Sequence, residues 1–361
     1  MDFQLSEDQQ ALQSAANDLL SSKASPERVR VVVDGGGGWD RSLWSDLVEQ
    51  GWPGIAVPEE LGGVGLGWVE AAVLLEAVGA HVAPVPILGQ LVALGGLVAS
   101  DGAGAEWLPS LVSGTSIAVA AFRPLQATAD GDGWKVTGTT EPVPFTPSAD
   151  VLVVPGTSAG GEERLLLVPL DESTRPSAAP AMDRTREVGR IVLEGAPAVE
   201  LGGIDAIRAH IDRGASAYSA ELLGIAARCL DLAVAYAEDR VQFGRPIGSF
   251  QAVKHRCADM LVDVEGMRSA TWWAAWCLAA GDEEADVAAS VAKAWCSDAG
   301  DRVVRSALQV HGGIGFTWEC DVHLYLKRAQ LDRMAFGDAA WHRDRLAALL
   351  RSRVEAGASV I

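Results

Sequence analysis

The hydrophobic positions divide this sequence into a helical part, a β-rich part and a second helical part. Up to about residue 115, apolar residues recur in steps of three and four, as at Val69, Val73, Leu74 and Ala77. This spacing places one apolar stripe on each helix, because an α-helix has 3.6 residues per turn. We therefore expect an N-terminal helical domain over residues 1–115.

From about Ser116 the pattern changes to short apolar runs separated by Gly, Pro, Asp and Ser clusters. Runs such as SIAVAAF, DVLVVPG and RLLLVPL have the length and the β-branched content typical of strands. The segment DGDGW, residues 130–134, carries the residues of a hairpin turn. A small β-domain is predicted over residues 116–203.

After residue 204 the helical spacing returns and continues to the end of the chain. One long helix leads up to the sequence FGRP, and three more are predicted after it, from about Gln251 to Ala280, Glu283 to Val310 and Val322 to Glu355. Four long antiparallel helices form a bundle, here over residues 204–361. The predicted fold class is α+β and mainly helical, with a small β-domain between two helical domains.

Composition and charge exclude several classes of protein. The net charge of −19 argues against a general nucleic-acid binder, which needs a basic surface. No apolar run approaches the roughly 18 residues of a membrane span, and the acidic N-terminus lacks the signal-peptide pattern. The five cysteines have no metal-ligand spacing, so no metal site is predicted. We expect buried thiols in a reducing compartment and a cytoplasmic protein.

The first candidate for chemistry is RVQFGRPIGSFQAVKH, residues 240–255. Gly244 and Pro246 terminate the preceding helix, so Arg240 is expected in its last turn. An arginine there can neutralise the negative end of the helix dipole. Alternatively, its guanidinium can form a two-pronged contact with a phosphate.

The second candidate is QVHGGIGFTWE, residues 309–319. Gly312 and Gly313 interrupt a helix, permit positive φ angles and allow a ligand to approach the backbone closely. A plain glycine cap between two helices is the simpler alternative. His311 is predicted to be a turn residue or a hydrogen-bonded core residue rather than a catalytic one.

Together with GWPGIAVPEELGGVGL, residues 51–66, these two segments resemble the acyl-CoA dehydrogenase family. The three matches are in the family's order and are spread over most of the chain. The resemblance implies the acyl-CoA dehydrogenase fold, FAD as cofactor, and α,β-desaturation of an acyl-CoA thioester. It also implies an oligomer, an electron-transfer flavoprotein as electron acceptor, and a role in fatty acid or steroid degradation.

The resemblance also assigns roles to individual residues. In the family the arginine of R-x-x-F-G contacts the FAD pyrophosphate, the phenylalanine packs beside the cofactor, and a later glutamine reaches the adenosine side. The Q-x-x-G-G-x-G turn faces the FAD held by a neighbouring subunit. The corresponding positions in this sequence are Arg240, Phe243, Gln251, Gln309, Gly312 and Gly313.

The family's catalytic base does not have a counterpart here. A glutamate that takes the α-proton must lie within hydrogen-bond reach of the substrate. Counting from the glycine turn, its usual position falls on Phe336; counting back from Phe243, the alternative position falls on Gly214. Neither side chain can take a proton. Asp338 and Asp212, two residues from these positions, are weaker candidates for a displaced base.

The β-domain departs from the family as well. AFRPLQATAD, residues 121–130, stands where the family has a flavin-binding loop of the type T-E-P-x-A-G-S-D, and the tryptophan of the next strand is absent from residues 136–154. The segments that reach a neighbour's FAD are thus retained, whereas those for the chain's own flavin ring and for proton abstraction are lost. This division resembles the degenerate subunit type of actinobacterial α₂β₂ acyl-CoA dehydrogenases acting on steroid side-chain thioesters.

The sequence therefore predicts a subunit without its own base that completes a shared FAD site, with a second acyl-CoA dehydrogenase-like subunit as partner. Three alternatives stay open. One is a self-sufficient homo-oligomeric dehydrogenase that uses Asp212 or Asp338. Another is a flavin oxidase or monooxygenase of the same fold. The third is a structural subunit without catalytic function.

Overall fold

The structure, a computed structural model, describes residues 4–131 and 133–357. Within this range the chain forms two compact units. The first comprises residues 4–28, 72–83 and 218–357, and the second comprises residues 29–71, 84–131 and 133–217. The three-domain division at residues 115 and 203 stays a prediction, because the compact units combine segments that are distant in sequence.

Helices occupy the N-terminal part, as the apolar spacing predicts. They are α1 Glu7–Lys23, α2 Pro26–Asp34, α3 Arg41–Glu49, α4 Trp68–Ala80, α5 Ile87–Val98 and α6 Leu108–Val112. The side chain of Ser6 accepts a hydrogen bond from the Gln9 backbone N–H, and the Gln9 side chain accepts from the Ser6 backbone N–H. This reciprocal pair satisfies two backbone donors at the start of α1, which fixes where that helix begins.

The β-rich part forms strands in the second unit, as predicted. They are β1 Ala118–Ala120, β2 Leu125–Asp130, β3 Gly133–Thr139, β4 Val143–Pro144, β5 Val151–Thr157, β6 Glu163–Pro169, β7 Val188–Gly189 and β8 Val192–Gly202. The expected hairpin pairs β2 with β3 in antiparallel register; Asp132, in its turn, lies outside the described residues.

The main sheet has the strand order β1-β5-β2-β3-β8-β6, and β6 also pairs with β5, so the sheet closes on itself. Alternate residues of β5 point to opposite faces. Val151 and Val153 pack with apolar residues of α5 and α6, whereas Leu152 and Val154 pack in a separate cluster with residues of β6 and β8. Each face therefore has its own apolar core.

Long helices return after residue 204, in the predicted order. They are α7 Ile204–Asp239, α8 Gln251–Ala280, α9 Ala285–His311, α10 Val322–Asp332 and α11 Ala339–Glu355, and a short hairpin of β9 Val241–Gln242 and β10 Arg245–Pro246 separates α7 from α8. In the first unit α9 packs against α8, α10 and α11. The α+β, mainly helical class is confirmed.

The prediction of one continuous last helix is wrong. The chain leaves the helix after Asp332 and resumes it at Ala339. Phe336 has a φ of 52° and Gly337 a φ of 87°, which are left-handed conformations that a right-handed helix cannot contain. The break lies at the position where the catalytic base of the family was expected.

The prediction that all five cysteines are buried is also partly wrong. All five are free thiols, but Cys257 and Cys320 are only partly buried. Across residues 4–131 and 133–357, no helix combines the length and apolarity needed to cross a membrane. The same residues contain no cluster of three or more His, Cys, Asp or Glu side chains arranged to hold a metal ion.

Candidate functional site

The hairpin after α7 presents the first candidate segment. Arg240 lies one residue past the helix, and its N–H still donates to the Tyr236 carbonyl at 2.9 Å. At the tip, Phe243 and Gly244 have φ angles of 54° and 78°. Positive φ at both central residues is what a two-residue turn of type I′ requires. Arg240 is exposed, so its guanidinium is accessible to a ligand.

Phe243 is the unusual residue of this hairpin, because its side chain is 92% exposed. A bulky residue in a left-handed conformation costs of order 1 kcal/mol or more, and an exposed aromatic ring gains little from burial. The ring contacts Phe250 edge-on at 6.1 Å, and the Arg245 guanidinium lies 4.2 Å from the Phe250 ring centre. The hairpin thus holds an aromatic ring outward, where another molecule can cover it.

Gln251 follows directly, as the first residue of α8. Phe250 is the N-cap of that helix and supplies no side-chain cap. The first backbone N–H groups of a helix have no partner within the helix, and together with the dipole they favour anions. The exposed Gln251 amide and this uncapped helix start therefore add hydrogen-bond donors next to the Arg240 hairpin.

The second candidate segment lies at the end of α9. Gly312 has a φ of 62°, whereas Gly313 does not have a positive φ. The expectation that both glycines serve left-handed conformations is therefore wrong for Gly313. A Cβ atom on either glycine would meet no atom within 4 Å, so open space lies in front of this backbone. Gln309 is exposed beside it.

A ring stack joins the two segments. His311, directly before Gly312, stacks on Tyr236 with ring centres 4.5 Å apart and an interplanar angle of 21°. Its Nδ1–H donates to the Ala307 carbonyl at 2.8 Å. The prediction of a packed, hydrogen-bonded histidine is confirmed. Because Tyr236 lies one helical turn before Arg240, the stack brings the arginine hairpin and the glycine turn to the same end of the first unit.

The donor set at this end fits a dinucleotide cofactor. It combines a guanidinium, an uncapped helix start, two side-chain amides, an exposed aromatic ring and a glycine backbone that faces open space. Phosphates bind guanidinium groups and helix N-termini, and aromatic rings pack on apolar ring faces. Arg240, Phe243, Gln251, Gln309 and Gly312 are the residues that could hold it.

The position of the expected base is filled by a buried aromatic residue. Phe336 is 4% exposed, and its ring centre lies 5.7 Å from that of Tyr218 at an interplanar angle of 33°. His342 donates its Nε2–H to the Phe336 carbonyl at 2.8 Å. Burial lowers the pKa of His342 to about 3, so it stays a neutral donor in this bond. The turn therefore positions an apolar ring, and it carries no proton acceptor at Phe336.

Lys293, on α9, donates hydrogen bonds to this turn. Its side chain is fully buried on α9, and its Nζ donates to Ser297 Oγ at 3.0 Å, the Arg333 carbonyl at 3.1 Å and the Gly337 carbonyl at 3.0 Å. Burial lowers the pKa of Lys293 to about 7, and nearby carboxylates offset part of that effect. One lysine amino group thus donates to backbone acceptors on both sides of Phe336.

The two displaced-base candidates have different surroundings. The Asp338 carboxylate accepts the Trp341 N–H at 2.9 Å and so caps the N-terminus of α11. Asp212 lies on α7 in the second unit, 5% exposed, beside Arg213, whose pKa is lowered by burial. Gly214 is buried on the same helix. Asp338 therefore has a structural task, and Asp212 is buried next to a cation.

Sequence reasoning did not find two buried basic residues of the first unit. The first is Lys293, and the second is Arg328, which is fully buried. The Arg328 Nη1 lies 3.0 Å from a Glu221 carboxylate oxygen. Its guanidinium also donates to the Ala83 carbonyl through Nη1 and to the Val82 carbonyl through Nη2. A basic residue inside an otherwise apolar helical stripe, as in AASVAKAW, is the signal that could have indicated them.

Comparison with known proteins gives a consistent result. The model for the acyl-CoA dehydrogenase N-terminal domain matches residues 6–115, and that for the C-terminal domain matches residues 202–350. The chain is 36% identical over 326 residues to acyl-CoA dehydrogenase IpdE2 of Mycolicibacterium smegmatis, covering 90% of this chain and 93% of that protein. It is 33% identical over 358 residues to acyl-CoA dehydrogenase FadE27 of Mycobacterium tuberculosis, covering 94% and 96%.

Solved structures agree with these relatives. A variant of the Tcur3481-Tcur3483 steroid ACAD superposes with a TM-score of 0.90 at 33% identity, covering 97% of this chain and 99% of that chain. The ChsE4-ChsE5 complex from Mycobacterium tuberculosis gives the same TM-score, identity and coverage. The chain therefore belongs to the acyl-CoA dehydrogenase family, whose members are FAD-dependent flavoprotein oxidoreductases.

Proposed function

We propose that this chain is the subunit of a two-component acyl-CoA dehydrogenase that completes a shared FAD site and does not supply the catalytic base. The observation that carries the proposal is the contrast between two sets of residues. Arg240, Phe243 and Gln309 are exposed at one end of the first unit. The base position, in contrast, is filled by the buried Phe336.

The chain's own residues would contribute binding and orientation. Arg240 offers a guanidinium to the cofactor pyrophosphate, Phe243 an aromatic face, and Gln251 an amide toward the adenosine side. Gln309 and the turn at Gly312 offer an amide and an uncrowded backbone. FAD, when bound, supplies the hydride acceptor for the β-hydrogen of the acyl-CoA. The α-proton would be taken by a carboxylate of the partner subunit, since Phe336 cannot accept it.

The relatives support a partner of the same family. Two of the solved structures at 33% identity are named as pairs of components, and one of them is a steroid ACAD. We infer a steroid-derived acyl-CoA thioester as the substrate class, with an electron-transfer flavoprotein as the electron acceptor. The cap formed by Asp338 disfavours the displaced-base alternative at that residue, because the carboxylate is already engaged with the Trp341 N–H at the start of α11.

The test is co-expression of the chain with a second acyl-CoA dehydrogenase-like subunit, followed by assays of the complex and of each chain alone. We expect dehydrogenation of a steroid side-chain CoA thioester, in preference to butyryl-CoA, by the complex only. An Arg240→Gln complex should bind FAD at least about tenfold more weakly, since a charge-assisted hydrogen bond contributes about 1.5–3 kcal/mol. Arg208→Gln, at an exposed arginine of α7, is the control.

Turnover by the isolated chain, abolished by Asp212→Asn or Asp338→Asn, would contradict the proposal. So would a complex whose FAD content does not respond to Arg240→Gln.

A further inference from the structure

The loop that follows β1, beginning at Ala121, is hydrogen-bonded to a carboxylate of the same chain. Glu141 Oε1 accepts the Phe122 N–H at 2.6 Å and the Arg123 N–H at 3.3 Å, and its Oε2 accepts the Arg123 N–H at 3.4 Å. Two consecutive backbone N–H groups that converge on one point form a donor pair suited to an anion or a carbonyl oxygen. In this chain Glu141 occupies that donor pair.

The backbone groups of Ala121 also bond within the second unit. The Ala121 N–H donates to the Val153 carbonyl at 2.9 Å. The Ala121 carbonyl accepts the Nε2–H of His210 at 2.9 Å. Burial lowers the pKa of His210 to about 4, so the imidazole stays neutral here. Ala121 thus has both of its backbone groups bonded, and Phe122 and Arg123 direct their N–H groups to Glu141.

Glu141 is held in place by its neighbours. Thr140, fully buried, donates its N–H to the Ile191 carbonyl and accepts the Ile191 N–H on its Oγ1, both at 3.0 Å. The Arg190 guanidinium donates to the Thr140 carbonyl at 3.1 Å. Pro142 follows, and its ring fixes its own φ and restricts the conformation of Glu141. The carboxylate is therefore presented to the loop by a fixed strand connection.

We propose that Glu141 prevents this chain from binding the flavin ring, so that the ring is held by the partner subunit. Its carboxylate occupies the Phe122 and Arg123 N–H groups of this chain and places a negative charge beside them. The dioxopyrimidine ring of a flavin accepts hydrogen bonds through its carbonyl oxygens, so it would compete with the carboxylate for these donors. This inference rests on the proposed function, in which the partner subunit holds the ring.

The experiment is FAD titration of the isolated chain, followed by quenching of flavin fluorescence. Glu141→Ala is expected to bind FAD at least tenfold more tightly than the wild type. Glu141→Gln should give a smaller gain, because its amide oxygen can still accept while the charge is gone. The control is Glu194→Ala, which removes an exposed carboxylate from the same β-rich unit.

A second readout covers variants that fail to fold. In the wild type, hydrogen exchange of the peptide containing Phe122 and Arg123 should be unchanged by excess FAD. Protection of that peptide by FAD, or unchanged affinity in folded Glu141→Ala, would overturn the inference. An unchanged variant whose complex with the partner still holds one FAD per pair would overturn this inference alone. A wild-type chain that binds stoichiometric FAD by itself would overturn the proposed function.

Discussion

Replacing Lys293 by methionine removes the amino group that donates to the Phe336 turn. Methionine matches the four-atom apolar stem of lysine, so the packing along α9 is retained. The Arg333 and Gly337 carbonyls, 3.1 Å and 3.0 Å from Nζ, then lose their donor. An unsatisfied buried acceptor costs about 1–3 kcal/mol, so we expect a loss of about 2–4 kcal/mol in the free energy of unfolding at pH 9.

The size of this loss depends on pH in a defined direction. The pKa of Lys293 is about 7 in the folded chain, against an ordinary lysine value of 10.5 in the unfolded chain. Between these values the unfolded chain binds the proton and the folded chain releases it, so the free energy of unfolding rises with pH. Below pH 7 both states are protonated and the full penalty of burying the charge applies. Integration from pH 7 to pH 9 gives a rise of about 2 kcal/mol from this lysine.

The charged groups around Lys293 do not reverse that direction. Asp332 and Asp338 raise the pKa of the lysine, as does Cys296, whereas Arg333 lowers it, and burial is the largest cause of the shift. The neutral His342 lies across the turn.

The assay is urea unfolding of the wild type, Lys293→Met and the control Lys254→Met at pH 7 and pH 9. Lys254 is an exposed lysine of α8 in the same unit. The stability difference between the wild type and Lys293→Met should widen by about 2 kcal/mol from pH 7 to pH 9. The Lys254→Met difference should stay near zero. A Lys293→Met difference that is independent of pH, or narrows with rising pH, would refute this account of the turn.

Three further substitutions test the packing of the first unit, each measured by thermal and urea unfolding. Phe336→Ala should cost about 3–5 kcal/mol because a buried ring is lost, while Phe316→Ala, at a ring 75% exposed, should cost less than about 0.5 kcal/mol; equal effects would contradict the burial of Phe336. Arg328→Met should cost about 3–5 kcal/mol because it leaves the Glu221 carboxylate buried without its guanidinium, whereas Arg208→Met should be near neutral. Gly224→Ala should cost about 3 kcal/mol or more, because its Cβ would lie 1.8 Å from the Glu76 carbonyl oxygen; an unchanged midpoint would show that α4 and α7 do not approach this closely.

Much of the fold was predictable because it depends on local patterns. Helical spacing, strand runs and the capping pair of Ser6 and Gln9 are set by residues within a few positions of each other. The helix over Gln251–Ala280 has the predicted bounds for that reason. Gly244 and Pro246 likewise indicated the end of the helix before them, since glycine tolerates left-handed φ angles and proline lacks a backbone N–H.

The break between α10 and α11 was not predicted. Gly337 and Asp338 offer a local signal for a helix end and a new N-cap, but the turn is stabilised by Lys293, which lies 40 and 44 residues earlier than the carbonyls it binds. The contact of Glu141 with Phe122 spans 19 residues and joins two strand ends. Such contacts follow from the tertiary arrangement, so the sequence shows which family residues are absent but not what fills their places.

The central claim is that this chain completes a shared FAD site that its partner subunit must supply with the base and the ring contacts. The most direct test is the visible spectrum and native mass of the chain purified alone and after co-expression with the partner. We predict a colourless chain alone and a yellow complex with one FAD per pair of subunits. A yellow homo-oligomer with about one FAD per chain, active on an acyl-CoA without a partner, would contradict the account.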